Sequence, residues 1–328
     1  MVKFLIVRFS SIGDIILTTP VIRCLKEQVE GAEIHYLTKK AFYSVLEENP
    51  HLNKIHVLDQ NLSALLTELK AENFDYIIDL HHNIRTYRVK RALKRLSFSF
   101  NKLNFEKWLM VNLKVNRLPN IHIVDRYLDT LTIFDVKNDQ LGLDFYIHPD
   151  NEIKVSELPG EFHGGYIGLV IGARHVTKQL PDEKLVELIK KINLPILLLG
   201  GKEDKNRGDT ISGKAGKTCL NVCGKYSLQQ SASLVQQAKL IITHDTGLMH
   251  IASAYKKTIL SIWGNTIPEF GMYPYLPGKE SVIYEVKGLK CRPCSKIGFE
   301  KCPKKHFNCM NRIDIEAIAN NARNIFLK

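Results

Sequence analysis

The sequence contains no apolar run that approaches the roughly 18 residues needed to span a membrane as a helix. Residues 1–8 also lack the character of a signal peptide, because their apolar stretch is short and charge interrupts it early. Apolar residues make up 45% of the 328 positions and charged residues 24%, which is typical of soluble globular proteins. These features predict a protein that does not cross a membrane and is long enough for two domains.

No G-x-G-x-x-G motif follows the first predicted strand, Lys3–Arg8. That motif places the pyrophosphate of a dinucleotide at the start of a helix, so its absence argues against a nicotinamide-dependent enzyme. The chain also lacks an even set of cysteines, since it has seven. An odd number without a secretion signal favours reduced thiols and a cytoplasmic protein.

Four of the cysteines lie close together in the sequence. They follow the pattern C-x2-C-x7-C-x6-C, at Cys291, Cys294, Cys302 and Cys309. Four thiolates at this spacing are able to hold one tetrahedral zinc ion, but the pattern after the first pair matches no standard zinc ribbon. Reduced structural thiols and a pair of disulfides are the alternative interpretations.

Positive charge is concentrated in two segments of the chain. The net charge is +12; residues 85–117 carry ten Lys and Arg against one Glu, and residues 287–312 carry eight against one. Such basic surfaces favour an anionic partner: an acidic lipid surface, a phosphorylated glycan or nucleic acid. In the first segment, which is predicted to be helical from Asn83 to Leu118, apolar and aromatic residues accompany the arginines, as at a membrane–water interface. Arg88, Arg91 and Arg95 share a predicted helix face there.

Short apolar strands alternate with amphipathic helices along the chain, which predicts βαβ units and parallel sheets. Residues 136–159 interrupt this alternation, because they are rich in Asp, Asn, Gly and Pro and contain one short predicted strand, Leu143–Ile147. The alternation begins again at Tyr166. We therefore expect two α/β domains, residues 1–155 and residues 156–328, joined by a linker.

The most informative polar cluster is Thr243-His-Asp-Thr-Gly-Leu-Met-His250, which follows one predicted strand and begins a helix. Free amides and the helix dipole favour an anion at such a position. Other predicted strands of the second domain also end in polar groups, and ligands of doubly wound sheets bind at this edge. The groups predicted to meet there are Lys178, Glu203, residues 245–250, Asn265 and Thr266.

The first domain has a comparable turn at residues 10–14, where Asp14 lies near the start of a predicted helix. With this turn and the cluster above, the chain resembles the ADP-heptose:lipopolysaccharide heptosyltransferases of glycosyltransferase family 9 over nearly its full length. The motifs that carry the resemblance are Phe9-Ser-Ser-Ile-Gly-Asp14-Ile-Ile-Leu-Thr-Thr-Pro, Asp79-Leu-His-His-Asn-Ile-Arg85, Lys178, Gly200-Gly-Lys-Glu203, Thr243–His250 with Ile-Ala after it, and Trp263-Gly-Asn-Thr-Ile-Pro.

The resemblance implies a GT-B fold, in which two Rossmann-like domains face each other across a cleft. It implies that residues 1–155 bind the acceptor, that residues 156–328 bind a nucleotide sugar, and that the final helix, Ile313–Phe326, packs back on the first domain. The implied activity is inverting transfer of a heptose or related sugar from an ADP-sugar, above all ADP-heptose. The implied acceptor is a lipid A–core oligosaccharide at the anionic cytoplasmic face of the inner membrane, without a cofactor or nucleic acid.

The same resemblance assigns roles to individual residues. Asp14 is the expected general base, and Lys178 stabilises the leaving diphosphate without a metal ion. The predicted donor-binding residues are Lys178, Glu203, Asp245, Thr246, Gly247 and His250. The predicted acceptor-binding residues are Ser10, Ser11, Gly13, Arg85, Arg88 and Arg91.

The sequence departs from the family pattern at two positions. Leu180 stands where an aromatic residue is usual after the lysine, and His244 stands where an asparagine is usual before the aspartate. Three alternatives remain open from the sequence: a family member with another donor, a nucleotide-sugar epimerase of GT-B fold, and a nucleic-acid-binding protein. The last would need both basic segments in one stripe with base-stacking aromatics.

Overall fold

The computed structural model describes residues 1–328 and contains two compact units. The first unit comprises Met1–Lys102 and Ile121–Tyr146, and the second comprises Leu103–Asn120 and Ile147–Lys328. The chain therefore passes from the first unit to the second for the last time after Tyr146, within the predicted linker at residues 136–159. The sequence gives no sign that residues 103–120 leave the first unit for the second.

The first unit is built on a five-stranded parallel sheet. Its strands are β1 (Val2–Val7), β2 (Ala32–Lys39), β3 (Lys54–Leu58), β4 (Tyr76–Asp79) and β5 (Leu96–Ser99), in the order β3-β2-β1-β4-β5. The helices of this half of the chain are α1 (Ile12–Ile16), α2 (Thr19–Gln28), α3 (Leu62–Ala71), α4 (Ile84–Leu93), α5 (Asn104–Asn112) in the segment that joins the second unit, and α6 (Ile123–Leu128).

The second unit is built on a six-stranded parallel sheet in the order β11-β10-β9-β6-β7-β8. Its strands are β6 (Ile167–Val170), β7 (Ile196–Leu199), β8 (Cys219–Asn221), β9 (Leu240–His244), β10 (Ile259–Trp263) and β11 (Val282–Glu285). Its helices after the linker are α7 (Asp182–Ile192), α8 (Lys205–Ala215), α9 (Leu228–Gln237), α10 (Gly247–Ala254), α11 (Asn308–Asn311) and α12 (Ile315–Phe326).

The inner strands of the second sheet are mostly apolar runs, as parallel strands covered on both faces require. Every residue of β6, β7, β9 and β10 is buried. Their side chains form the core of the second unit together with α7 and α12. None of the helices combines the length and the apolar content needed to cross a bilayer.

Helix α12 belongs to the second unit, and its expected contact with the first domain stays a prediction. It lies against α7 in the second unit, where Ile315, Ile318 and Ala322 are buried in the core. An ion pair of 2.6 Å between Lys191 and Glu316 joins the two helices at the surface. An apolar stripe shows that a helix is covered, but it does not show which neighbouring surface covers it.

The segment predicted to be helical from Asn83 to Leu118 is also different in the structure. Strand β5 interrupts it, so that Arg95 lies beyond α4 and does not share its face. Phe98 packs against Phe134, with 5.5 Å between the ring centroids, inside the first unit. Two further aromatic residues, Phe105 and Trp108, are exposed on α5, which belongs to the second unit.

The short strand predicted at Leu143–Ile147 is absent. The amide of Asp144 donates to Thr19 Oγ1 on α2 over 2.9 Å instead of joining a ladder. Arg23 on the same helix forms ion pairs with Asp139 and Asp144. The alternating apolar residues Leu143 and Phe145 are buried, but they lie in a segment that α2 holds in place and not in a sheet.

Candidate functional site

The first strand-to-helix turn holds Asp14 in place from two directions. Asp14 is the third residue of α1, and its Oδ2 accepts hydrogen bonds from the amide of Ser11 (3.1 Å) and from Ser11 Oγ (2.6 Å). On the other side, Arg8 Nη2 lies 2.6 Å from Asp14 Oδ1. The carboxylate is half-buried and oriented at the helix start, which also complements the helix dipole.

Arg8 is a site residue that the sequence analysis did not identify. It is buried directly after β1 and donates to the carbonyl of Ser10 (2.8 Å) and to the hydroxyl of Tyr127 (3.0 Å). Burial lowers the pKa of Arg8, but the attraction of Asp14 and further groups leaves that pKa above its ordinary value. The signal in the sequence is a lone arginine at the end of a wholly apolar strand, immediately before a polar turn.

The neighbouring strand β4 ends in Asp79, which lies opposite Val7 of β1. Asp79 is fully buried and accepts from the amides of His81 (3.1 Å) and His82 (2.7 Å). It also accepts from Thr86 Oγ1 and pairs with Lys90 Nζ on α4, at 2.8 and 2.9 Å. Asp79 therefore shapes the turn from which α4 begins.

The turn after β4 brings Arg85, on α4, close to the turn that follows β1. The guanidinium carbon of Arg85 lies 5.5 Å from the ring centroid of Phe9, which in turn packs against His81 at 5.6 Å. Arg88 and Arg91 are exposed farther along α4 and form no hydrogen bond or ion pair. The structure thus groups Arg85 with the Ser10–Asp14 turn and presents the other two arginines to solvent.

His81 is the second residue of this edge whose state the sequence did not indicate. Burial, and then the positive charge of Arg8, lower the pKa of His81 to about 4, so the ring is neutral at pH 7. Its Nδ1 is buried without a hydrogen-bond partner. A neutral imidazole between Phe9 and the charged turn adds hydrogen-bonding capacity to the edge without adding charge.

In the second unit, Lys178 and Asp245 meet at the carboxyl edge of the sheet. Lys178 Nζ lies 2.5 Å from Asp245 Oδ2, and both side chains are mostly buried, at 16% and 13% exposed. Thr266 Oγ1 also donates to Asp245 Oδ2, over 3.2 Å. Next to it, the buried side chain of Asn265 has no hydrogen-bond partner at either polar atom, which is unusual for a buried amide.

Helix α10 begins immediately after Asp245. Thr246 is its N-cap with extended backbone, yet no side chain caps the first amides of the helix. Gly247 is the first helical residue, and His250 is buried one turn farther along. The uncapped amides and the ammonium of Lys178 therefore supply positive potential on both sides of Asp245.

Glu203 does not join this contact network. It is exposed in the turn after β7, forms no hydrogen bond or ion pair, and β6 separates its strand from β9. The adjacent Asp204, which the sequence analysis overlooked, is the buried residue of that turn and accepts from the amide of Gly201 over 2.9 Å. A Cβ atom on Gly172 would lie 2.1 Å from Asp204 Oδ2, so this position requires glycine.

The two departures from the family pattern are in direct contact. Nε2 of the fully buried His244 accepts a hydrogen bond of 2.9 Å from the amide of Leu180. Burial, with a smaller contribution from Arg207, lowers the pKa of His244 to about 3, so the ring is neutral. Arg207 donates to the carbonyl of Leu180 over 2.8 Å and pairs with Asp182 at 2.7 Å. These contacts fix the loop that carries Lys178.

All seven cysteines are free thiols in the structure; of the clustered four, Cys291, Cys294 and Cys302 lie in an irregular basic loop, and Cys309 lies in α11. Cys294 Sγ donates to the carbonyl of Cys291 over 3.0 Å. Burial raises the pKa of Cys294 to about 11 and that of Cys309 to about 12, so both are protonated thiols at neutral pH. Lys114, in the segment 103–120, donates to the carbonyl of Pro293 over 2.6 Å. Part of the first basic segment is thus joined to the second within one unit.

Comparison with known proteins gives consistent results. The family Glycosyltransferase family 9 (heptosyltransferase) matches residues 62–302. The chain is 26% identical over 292 residues to lipopolysaccharide heptosyltransferase 1 of Campylobacter coli, covering 80% of this chain and 84% of that protein.

Two solved structures match nearly the whole chain. A glycosyltransferase of family 9 from Veillonella parvula superposes with a TM-score of 0.75 at 20% identity, covering 99% of this chain and 97% of that one. The E. coli ADP-heptose lipopolysaccharide heptosyltransferase II superposes with a TM-score of 0.73 at 18% identity, covering 99% and 98%.

The fold is therefore GT-B, built from two Rossmann-like domains, and the protein is a glycosyltransferase. Because the family match covers more than half of the chain, the protein belongs to glycosyltransferase family 9, the heptosyltransferases. This membership favours glycosyl transfer over the epimerase alternative.

The geometry of Asp79 leads to a prediction about stability. Burial raises the pKa of Asp79. The hydrogen bonds that the carboxylate accepts from the amide of His82 and from the side chains of Lys90 and Thr86 outweigh burial and hold this pKa below its ordinary value. The stabilisation is thus fully present above the ordinary carboxyl pKa and is lost as pH falls through the lowered folded pKa. We expect Asp79→Asn to lower the free energy of unfolding at pH 7 by about 1–3 kcal/mol.

Urea unfolding at pH 7 and at steps below about pH 4 measures this effect, since the ordinary pKa of aspartate lies near that value. The difference between Asp79→Asn and the parent should shrink as the parent carboxylate becomes protonated. Asp59→Asn, which removes an exposed carboxylate near Lys40 in the same unit, is the matched control. A difference that stays constant down to pH 3 would contradict the assignment.

Proposed function

We propose that this protein transfers a heptose from ADP-heptose to the lipid A–core oligosaccharide of lipopolysaccharide, with inversion at the anomeric carbon. Its relative in Campylobacter coli is a lipopolysaccharide heptosyltransferase, and the similar E. coli protein is an ADP-heptose lipopolysaccharide heptosyltransferase. The observation that carries the proposal is the position of Lys178 beside the uncapped start of α10. This arrangement suits a diphosphate, whose negative charge grows as the glycosidic bond breaks.

On the donor side, the bond between the anomeric carbon and the phosphate oxygen breaks, and its electron pair leaves with the diphosphate. Lys178 and the amides of residues 245–247 stabilise this charge, while Asp245 orients the lysine. His250 lies beside the phosphates or the sugar, and the unpaired carboxylate of Glu203 binds ribose hydroxyls. Because the lysine and the helix start supply positive charge, the reaction needs no metal ion.

On the acceptor side, Asp14 takes the proton of the attacking hydroxyl as that oxygen bonds to the anomeric carbon. The buried guanidinium of Arg8 lies 2.6 Å from Asp14 Oδ1 and orients the carboxylate at the turn. Residues Ser10, Ser11 and Gly13 shape the turn around the hydroxyl.

The acidic groups of the acceptor require cations, which α4 supplies. Arg85 lies beside Phe9 of the Ser10–Asp14 turn, where it can bind carboxylates or phosphates bidentately. Arg88 and Arg91 are exposed and unpaired, so they remain free to contact acceptor phosphates and anionic lipid at the inner face of the inner membrane. The enzyme is accordingly proposed to be cytoplasmic and peripheral to that membrane.

The role of Asp14 is tested by Asp14→Asn. The amide retains a side-chain oxygen for the Ser11 contacts but cannot accept a proton at pH 7, so kcat should fall at least about 100-fold. Release of ADP from ADP-heptose with a lipid A–core acceptor measures turnover, and calorimetric titration with ADP measures donor binding, which should not change. Turnover within a few-fold of the parent would exclude Asp14 as the base.

The role of Lys178 is tested by Lys178→Ala, with Lys184→Ala as a control because Lys184 pairs only with Glu187 on α7. Loss of a charge that acts mainly in the transition state should lower kcat and kcat/KM together, by about 100- to 1,000-fold. Steady-state kinetics with a panel of nucleotide sugars measures this and identifies the preferred donor. A rise in KM alone would show that Lys178 only holds the donor.

The role of the exposed arginines is tested by the double charge reversal Arg88→Glu/Arg91→Glu. Each cation near an anionic surface contributes about 1 kcal/mol, so sedimentation with anionic liposomes should fall steeply and the acceptor KM should rise. Raised salt should have the same effect on the parent, because exposed charges are screened beyond about 8–10 Å.

A matched double reversal, Lys70→Glu/Lys137→Glu, changes the charge of the same unit equally at exposed positions outside α4. It should leave acceptor KM near the parent value, and donor affinity should be unchanged in both variants. If both double variants raise the acceptor KM equally, acceptor binding depends on the net charge of the protein and not on the arginines of α4. That result would exclude the role of Arg88 and Arg91.

A further inference from the structure

A cluster of two histidines and three glutamates lies in the first unit, outside the candidate site. His35 on β2 and His56 on β3 are buried, and their rings face each other with 3.0 Å between His35 Nδ1 and His56 Nε2. Glu72, just after α3, faces the same point: its carboxylate oxygens lie 3.8 Å from His35 Nδ1 and 3.9 Å from His56 Nε2. Each ring points its other nitrogen at a further carboxylate.

Those outer contacts are short. His35 Nε2 lies 2.8 Å from Glu33 Oε1, and His56 Nδ1 lies 2.7 Å from Glu68 Oε1. The two rings and the two outer carboxylates thus form a chain of three contacts. Two of these contacts join a ring nitrogen to a carboxylate oxygen, and the third joins the two ring nitrogens. Each contact needs one proton or one cation between its two atoms, because carboxylate oxygens and unprotonated imidazole nitrogens are all acceptors.

Two neutral imidazoles supply only two N–H groups for these three contacts. If both N–H groups point outward to Glu33 and Glu68, the two inner nitrogens present lone pairs to each other and to Glu72. A third proton between the two inner nitrogens would complete the chain. A cation between the rings satisfies all the acceptors without protonating either ring.

We infer that His35 Nδ1, His56 Nε2 and the carboxylate of Glu72 bind one Zn²⁺ ion. A histidine ligand to zinc characteristically donates its second N–H to a carboxylate, which is the relation of His35 to Glu33 and of His56 to Glu68. After a small rotation that turns one oxygen of Glu72 toward both rings, an ion equidistant from the three ligand atoms lies about 2.1 Å from each, the distance zinc keeps from such ligands.

Charge and access at the site are compatible with a divalent cation. Glu33, Glu68 and Glu72 outnumber the two nearby lysines, Lys3 and Lys54. Lys54 Nζ lies 2.6 Å from Glu72 but also 3.6 Å from Glu68, and its side chain is 47% exposed, so it can shift to Glu68. The side chain of Glu72 is 17% exposed and provides the entry path from solvent.

The place of the site in the fold assigns it a structural function. His35 is level with Leu5 of β1, several residues before the carboxyl end at which the Ser10–Asp14 turn begins. The ion would join β2, β3 and the end of α3, and Phe74 closes the site with its ring edge-on to both histidines. The inference is independent of the proposed function, because no step of the transfer involves these residues.

The test uses full-length protein in which Cys291→Ser, Cys294→Ser and Cys302→Ser leave only the buried Cys309 of the four clustered thiols. After treatment with a chelator and dialysis, the protein is titrated with Zn²⁺ and, in parallel, with Co²⁺. We expect one equivalent of zinc by elemental analysis, a rise in Tm on adding zinc, and visible Co²⁺ absorption without an intense thiolate charge-transfer band.

Variants in the same background locate the ion. His56→Gln should abolish binding, Glu72→Gln at the rim should weaken it without unfolding the protein, and Glu68→Gln should weaken it about 10- to 100-fold. Glu48→Gln, at a carboxylate outside the cluster, is the control and should bind as the parent does. The inference is overturned if no zinc binds, if His56→Gln and Glu72→Gln bind it unchanged, or if ¹⁵N NMR of the parent shows a third ring proton shared by the two histidines.

Discussion

The structure depends on how charged side chains are held at the carboxyl ends of its buried parallel strands. Such a strand has no room for a charged side chain within the sheet, so the first charged residue beyond it must find a partner at once. In the first unit Arg8 pairs with Asp14 across a capped turn, and in the second unit Lys178 pairs with Asp245 beside the start of α10. Each pair leaves one group oriented at a sheet edge where ligands bind. In both pairs the aspartate lies at or next to a helix start, and the basic partner approaches it from another part of the chain.

The fold was predictable from the sequence where a local pattern determined it. Buried parallel strands appeared as short β-branched runs, and their alternation with amphipathic helices predicted the two parallel sheets that the structure has. A local pattern does not identify the partner of a segment, and it also missed strand β5 within the predicted helix Asn83–Leu118. An apolar stripe could not show that α12 packs on α7, and an alternating pattern at residues 143–147 could not show that Thr19 and Arg23 would bind that segment.

The candidate site was predictable to a similar depth. Motif residues identified Lys178, Asp245 and Asp14, because polar side chains after strands collect at one edge. The residues that position them were missed, since Arg8, Asp204 and Arg207 act through contacts between segments distant in sequence. The link between Leu180 and His244 is of the same kind: two departures from a family pattern that look independent in the sequence are one hydrogen bond in the fold.

Residues 103–120 have a consequence for how the protein can be divided. Because the chain leaves the first unit at Lys102, returns at Ile121 and leaves again at Tyr146, no single cut separates the two units. A fragment ending at residue 146 would carry α5, with Phe105 and Trp108, away from the loop that Lys114 contacts. Exchange of whole domains between relatives must therefore transfer residues 103–120 together with the C-terminal half.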